Sequence, residues 1–298
     1  ASFWRIQNTH KTVLDEIEIF NNGLTDSEAK RLYLKHSSMN VKAEAVKAPV
    51  PSLKTAVKVD GALEPSEWAD ASKLPLLTSI SQKSIYTTLP AWVYVKRDSK
   101  NLYIGYEVLE NEKLISDGEP NTSSNKTWTA DEVEFIVQTG AGPFDFRQYF
   151  LAPNGAWCVL QHPSENWKAP SAFLHAAKLN SKGWTAEMAV PLSEFLTADG
   201  NIRANFGLHR RAARDIGDEF DRWIAWSTSG KETSFEKTFG TLIFADAPVR
   251  VESLGDMGDG LLNFQATPGF ELELTDLLNG KNVKYSSGST GKIPWTGL

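Results

Sequence analysis

Cysteine is nearly absent: Cys158 is the only one in 298 residues. A single thiol closes no internal disulfide and builds no multi-cysteine metal site. It lies between Trp157 and Val159 on an expected strand and reads as a buried core thiol. Basic runs are missing too. The formal charge is -6 and no Lys/Arg cluster stands out, which disfavours nucleic acid or an anionic membrane as partner. No apolar stretch approaches the roughly 20 residues that a spanning helix needs. Repeats of fixed period are also lacking. No HExxH motif and no Ser-His-Asp order marks a catalytic centre, and the isolated His162, His175 and His209 read as structural. The chain opens on Ala-Ser-Phe-Trp without an initiator Met or a leader pattern. The expectation is a mature product or an excised fragment.

Tryptophan, by contrast, is abundant, with ten in the chain. An indole is costly to place unless it is both packed and hydrogen-bonded. The surplus implies either a large aromatic core or aromatic platforms for a ligand.

Residues 55–246 alternate short β-prone runs with turn signals. "AWVYVKR", "NLYIGYEVL", "DEVEFIVQ", "WTAEMAV" and "RWIAWS" are rich in β-branched and aromatic residues, and "RDSKN", "TGAGP", "PNG" and "NSKG" punctuate them. Only Leu192–Leu196, after Pro191, hints at a helical turn. Short strands without long helices between them predict an all-β fold, an antiparallel β-sandwich or barrel. Residues 37–53, rich in Ser, Ala, Lys and Pro, read as a linker. Residues 247–298 read as the start of a further, truncated β-domain, with strands in "VRVESLG", "LLNFQA", "FELELTDLL" and "VKYS". Residues 1–36 read as strand, turn and short helix: Val13, Ile17 and Ile19 alternate with Glu16 and Glu18, and Thr25 with Glu28 forms a capping box. This segment resembles the last strand and helix of a laminin-G/concanavalin-A-like lectin domain.

The central region, over nearly all of 57–246, resembles the family-nine carbohydrate-binding module. Five ordered stretches carry the likeness: "VDGALEPSEW" with Asp60, Gly61, Leu63 and Trp68; "DSKNLYIGYEV"; "WTADEVEFIV" with Trp128, Asp131 and Glu134; "GWTAEMAV"; and "IAWST" followed by "FGTLIF". The resemblance implies an antiparallel β-sandwich over 54–246. It also implies non-catalytic carbohydrate binding by a module of a secreted protein that degrades polysaccharides or binds surface glycans, alongside other domains of the same polypeptide. The implied stacking pair is Trp128 and Trp226, sandwiching one sugar across an open cleft, with Glu134 and Asp131 accepting hydroxyls. Each pyranose face hides on the order of 60 Å² of apolar surface, so two indoles contribute about 3 kcal/mol before entropy costs. Arg210 and Arg211 are candidates to hold a hydroxyl or to pair with Asp131 or Glu134. Strand alternation places Glu132 with Glu134 on one face.

The chain departs from the family pattern at three places. Phe150 stands at the position of a sugar-binding Arg, Thr228 follows in place of an Asp, and His209 replaces a Gln. The resemblance further implies structural calcium, with Asp60, Asp70 and Glu67 as candidate ligands, but no EF-hand spacing assigns a site. Three rival readings accompany this one. A glycoside hydrolase would need paired carboxylates about 5–9.5 Å apart. A haem-binding sandwich would use Met188 and His209. A structural or adhesive module would have no ligand at all.

Overall fold

A computed structural model describes residues 46–79, 85–110, 113–124, 127–142, 144–163, 173–195, 200–211, 223–227 and 239–253, with four later strand segments. The lectin-like segment at 1–36 and most of the expected linker lie outside the described residues. In chain order the first strands are β1 (Lys47–Val50), β2 (Ser72–Ser79), β3 (Ile85–Arg97) and β4 (Asn101–Leu109), with one helical turn, α1 (Pro65–Trp68), before β2. Then come β5 (Glu132–Gln138), β6 (Phe146–Leu151), β7 (Trp157–Gln161), β8 (Leu174–Asn180), β9 (Gly183–Pro191) and β10 (Asn201–His209). The central set ends with β11 (Trp223–Ala225) and β12 (Gly240–Phe244). The last described strands are β13 (Arg250–Ser253), β14 (Leu261–Gln265), β15 (Leu272–Thr275), β16 (Asn282–Tyr285) and β17 (Thr290–Pro294).

The strands hydrogen-bond in the order β7-β6-β5-β10-β11-β2-β3-β4-β9-β8. This path folds back on itself into two layers, because the residues that alternate inward from each half meet in one core. Leu102, Ile104, Tyr106 and Val108 of β4 are buried, and so are Trp184, Ala186, Met188 and Val190 of β9; they pack with Val133, Phe135 and Val137 of β5 and Phe206 of β10. Period-two alternation is what the sequence carries here, and one face of each strand must be covered. The Tyr106 hydroxyl crosses between the layers and donates to the Glu134 carbonyl at 2.7 Å. The architecture is therefore the expected β-sandwich, and the turn foreseen after Pro191 is a 3-10 turn at Leu192–Glu194.

Part of the expected linker is not a linker. Lys47–Val50 pair in parallel with β12, and Ala48 and Val50 are wholly buried. Two Pro residues and low periodicity hid a four-residue strand. After β12, β13 pairs with β14 and, at Arg250, with Lys73 of β2; β14 pairs with β17, and β15 pairs with β16.

The stretch from Asp60 to Trp68 is locked to the outer side of the β4–β9 layer by one buried carboxylate. Glu187 accepts the Asp60 and Gly61 N–H groups at 2.8 Å each and the Trp68 indole N–H at 2.9 Å. Gly105 has no side chain where Leu63 and Trp68 press down; a Cβ there would lie 2.6 Å from Leu63 Cδ2. Buried Lys96 donates to the Thr55 and Glu67 carbonyls and to Asp70 at 2.7 Å, with its Nζ 5.6 Å from the Trp68 ring centroid. The "VDGALEPSEW" stretch is thus a structural clamp.

Candidate functional site

The outward side of the other layer carries an unusual set of buried polar groups. Cross-strand register places Glu134 opposite Gly207 on one side and Phe150 on the other, with Phe150 opposite Cys158. One step along, Glu132 faces His209, and His209 faces Trp223. Directly opposed residues share a face, so Cys158, Phe150, Glu134, Glu132, His209 and Trp223 lie on one surface. Glu132 is 2% exposed and Glu134 4%, so they do not form a solvated strand face.

This surface is internally braced. Gln148 donates to Glu134 Oε1 at 2.6 Å, and its own carbonyl oxygen meets His162 Nε2 at 2.6 Å. His162 in turn stacks on Phe146, with centroids 4.2 Å apart. Across the strand, His209 Nδ1 stands 3.8 Å from Glu132 Oε1, and the Trp223 ring lies 5.1 Å from the His209 ring. Trp223 also packs on a small outer cluster of Ile136, Phe146, Ala225 and Phe239. Glu132 Oε2 has no hydrogen-bond partner. Burial, with Glu134 and Asp131 beside it, pushes the Glu132 carboxyl well above its ordinary titration range. The same burial raises the Cys158 thiol. That thiol is buried as expected, but on the carboxylate side of the sheet and outside the central core.

The other residues singled out from the sequence have distinct placements. Asp131 accepts the Arg211 N–H at 2.6 Å and the Ile115 N–H with its second oxygen, which ties two loops to the start of β5. Burial lifts its carboxyl to about 6. Arg211 also donates to the Thr129 carbonyl at 2.7 Å. Arg210 is buried, holds Glu110 at 3.1 Å and donates to the Leu109 carbonyl. Both arginines therefore join the β10 end to neighbouring loops. Trp128 sits in a 3-10 turn, Thr127–Thr129, immediately before β5; its ring lies outside the described side chains. Thr228 is also outside the described residues.

Trp226 departs from the open platform expected of it. Its N–H bonds to the Phe206 carbonyl, and its half-buried ring leans on Phe206 at 5.5 Å and fills the space above Gly240. Phe206 belongs to the central core, so Trp226 stands on the inner side of the sheet, away from Glu134. The reason is parity: Ile224 is a core residue, and a position two further along the strand faces the same way. Trp223 has the opposite parity and reaches the carboxylate face. That signal was available in "RWIAWS" once Ile224 was taken as core.

Asp70 is taken by Lys96 and by the Lys54 and Thr55 amides, and Asp60 pairs with Lys58 at 2.9 Å. Among the described residues no group of three His, Cys, Asp or Glu side chains is arranged to hold a metal ion. Met188 points into the central core while His209 faces outward from the opposite layer, so they do not converge on a haem.

Residues 59–247 match the carbohydrate family 9 binding domain-like model, which covers more than half of the chain. The chain belongs to that family. A family 9 domain is a non-catalytic carbohydrate-binding domain. No curated protein matches the chain. Among solved structures, a candidate carbohydrate-binding protein from Bacteroides uniformis ATCC 8492 is similar over 68% of this chain and all of its own, at 16% identity and a TM-score of 0.52. Two structures of a family 9 module from Caldicellulosiruptor kristjanssonii, one with cellotriose and one with glucose, are similar at 16% and 15% identity, each with a TM-score of 0.48. They cover 66% and 67% of this chain and 93% and 95% of their own.

Proposed function

We propose that this family 9 domain holds a sugar over the outward face of β6, β5, β10 and β11. The observation that carries the reading is the buried carboxylate pair Glu132 and Glu134, with Glu134 fixed by Gln148 and with His209 standing between Glu132 and the Trp223 indole. Where ionised, a carboxylate is an acceptor only and can take several hydroxyl hydrogens, while Glu132, which burial shifts towards its protonated form, offers an O–H donor as well. Charge-assisted hydrogen bonds of this kind contribute about 1.5–3 kcal/mol each. The Trp223 indole, beyond His209 on the next strand, offers an apolar plane for the C–H face of a pyranose. Trp128, in the turn that leads into β5, supplies the second aromatic contact. Asp131, Arg210 and Arg211 act as supports that fix the loops at the edge of the site. With Phe150 in place of a basic side chain opposite Glu134, the site accepts more hydrogen bonds than it donates. Family membership further supports a role outside the cell, in a protein that degrades polysaccharides or binds glycans.

Glycan-array screening followed by calorimetric titration tests this. Glu134→Gln, Trp223→Ala and Trp128→Ala are expected to weaken sugar binding at least about tenfold, or 1.4 kcal/mol, with the folded state retained. Equal affinity of wild type and Glu134→Gln for every bound glycan refutes the site.

A further inference from the structure

A concavity lies on the opposite layer, with the core of the sandwich between it and the carboxylate face. It is an open groove of about 570 Å³ on the outer side of β3, β4, β9 and β8. Sites for small ligands span about 300–1,000 Å³. We infer that this groove is a second glycan-binding site, independent of the first.

Its floor follows from register. Glu107 faces Thr185 and Thr185 faces Lys178, so one outward row crosses β4, β9 and β8, and Tyr94 of β3 extends the floor to a fourth strand. Three strand steps span about 14 Å, long enough for a short oligosaccharide. In the neighbouring row Tyr94 faces Gly105, and the missing side chain lets Leu63 and Trp68 settle there and form one wall. Arg250 fixes that wall by donating to the Trp68, Ala69 and Ala71 carbonyls at 2.8–3.2 Å. The Tyr94 hydroxyl donates to Glu107 at 2.9 Å, which orients both groups; one such bond leaves the carboxylate further acceptor capacity.

These groups fit a sugar better than other ligands. Leu63 and the half-buried Tyr94 ring, which Lys73 and Arg250 approach at 5.5 and 6.0 Å, offer contact to a sugar ring, while Glu107 accepts and Lys178 donates at the hydroxyl rim. The floor strands β3, β4 and β9 are each paired on both sides, and of the four only β8, at the end of the sheet, has an open edge among the described residues; a peptide added there as a strand would lie beside the groove and not over its floor. A phosphate ligand is disfavoured because a carboxylate sits mid-floor.

Calorimetric titration of the full chain with cellotetraose, xylotetraose and chitotetraose tests the assignment. At least one of these is expected to bind in a class that persists in Glu134→Gln, which separates this site from the one proposed above. That class is expected to weaken about tenfold or more in Tyr94→Ala and severalfold in Lys178→Ala. Lys178 is exposed, so its loss leaves folding intact, and Tyr94→Phe keeps the ring packing should Tyr94→Ala unfold. If none of the three sugars shows a class that is sensitive to Tyr94 and Lys178 and insensitive to Glu134, the inference is wrong. Capture of peptides alone in a Tyr94-dependent manner also overturns it.

Discussion

Glu187 shows how one side chain can decide whether a motif holds. Its carboxylate is wholly buried and accepts three N–H groups, from Asp60, Gly61 and Trp68. Burial raises its titration even though those three hydrogen bonds pull it down. A Gln cannot replace it, because every partner is a donor and the amide nitrogen is a donor too. Glu187→Gln therefore strands at least one buried N–H, and urea unfolding is expected to show a loss of about 1–3 kcal/mol. Glu132 behaves in the opposite way. It is buried beside Glu134, Asp131 and His209, and one oxygen has no partner. Its folded-state proton affinity exceeds that of the unfolded chain, so the native protein binds more protons in the window above the ordinary glutamate range of about 4. Stability falls as pH climbs through that window and stays reduced above it. Glu132→Gln removes the charge that burial penalises. It is expected to raise the urea midpoint at pH 8, with the gain shrinking towards pH 4. A pH-independent difference would mean that Glu132 is neutral or solvated throughout. Keeping a destabilising carboxylate fits a binding role, since sites of function often sacrifice stability.

Among the elements, the short β11 strand separates what could be read from the sequence from what could not. Residue types placed β4, β5 and β9 correctly, because each alternates apolar residues with period two over seven or more positions. "RWIAWS" is too short for such a pattern, and its two tryptophans, three residues apart, have opposite parity. The match to the family motif favoured Trp226, whereas pairing with β10 puts Trp223 on the carboxylate face. The Glu132–Glu134 pair was legible from alternation, but its burial was not, since that depends on Phe150, Cys158 and His209 arriving from three other strands. β1 was missed for a related reason: four residues buried against β12 carry no period of their own. The two tryptophans respond differently to truncation. Trp226→Ala opens a cavity over Gly240 and Phe206 and is expected to cost about 3 kcal/mol or more of stability, read as a lower unfolding midpoint. Trp223→Ala removes partly buried packing on His209 and the small outer cluster and is expected to lower that midpoint less than Trp226→Ala does, while sugar affinity drops.

At the scale of the whole domain, the two proposed sites lie on the outer sides of opposite layers, and stacked sheets are about 10 Å apart. Between them is a continuous core of interlocked side chains, from Val133 and Phe206 on one layer to Ile104 and Met188 on the other. Such a core is close-packed and transmits displacement poorly unless it has two alternative packings. Polar contacts between the layers include Arg210 on Glu110 and the Leu109 carbonyl, and the Tyr106 hydroxyl on the Glu134 carbonyl, which reaches the backbone of one site but not its side chain. The two faces should therefore act independently. Substitutions more than about 7–10 Å apart without a shared partner add within roughly 0.5 kcal/mol. The double variant Glu134→Gln with Lys178→Ala is expected to lose affinity at each face by the same factor as the corresponding single variant, with fold-changes that neither compensate nor compound. Titration of a sugar bound by both faces, across wild type, both singles and the double, measures this directly. A coupling well above 0.5 kcal/mol would mean that the Tyr106 bridge, or a shift of β4 against β5, links the sites, and Tyr106→Phe should then abolish that coupling.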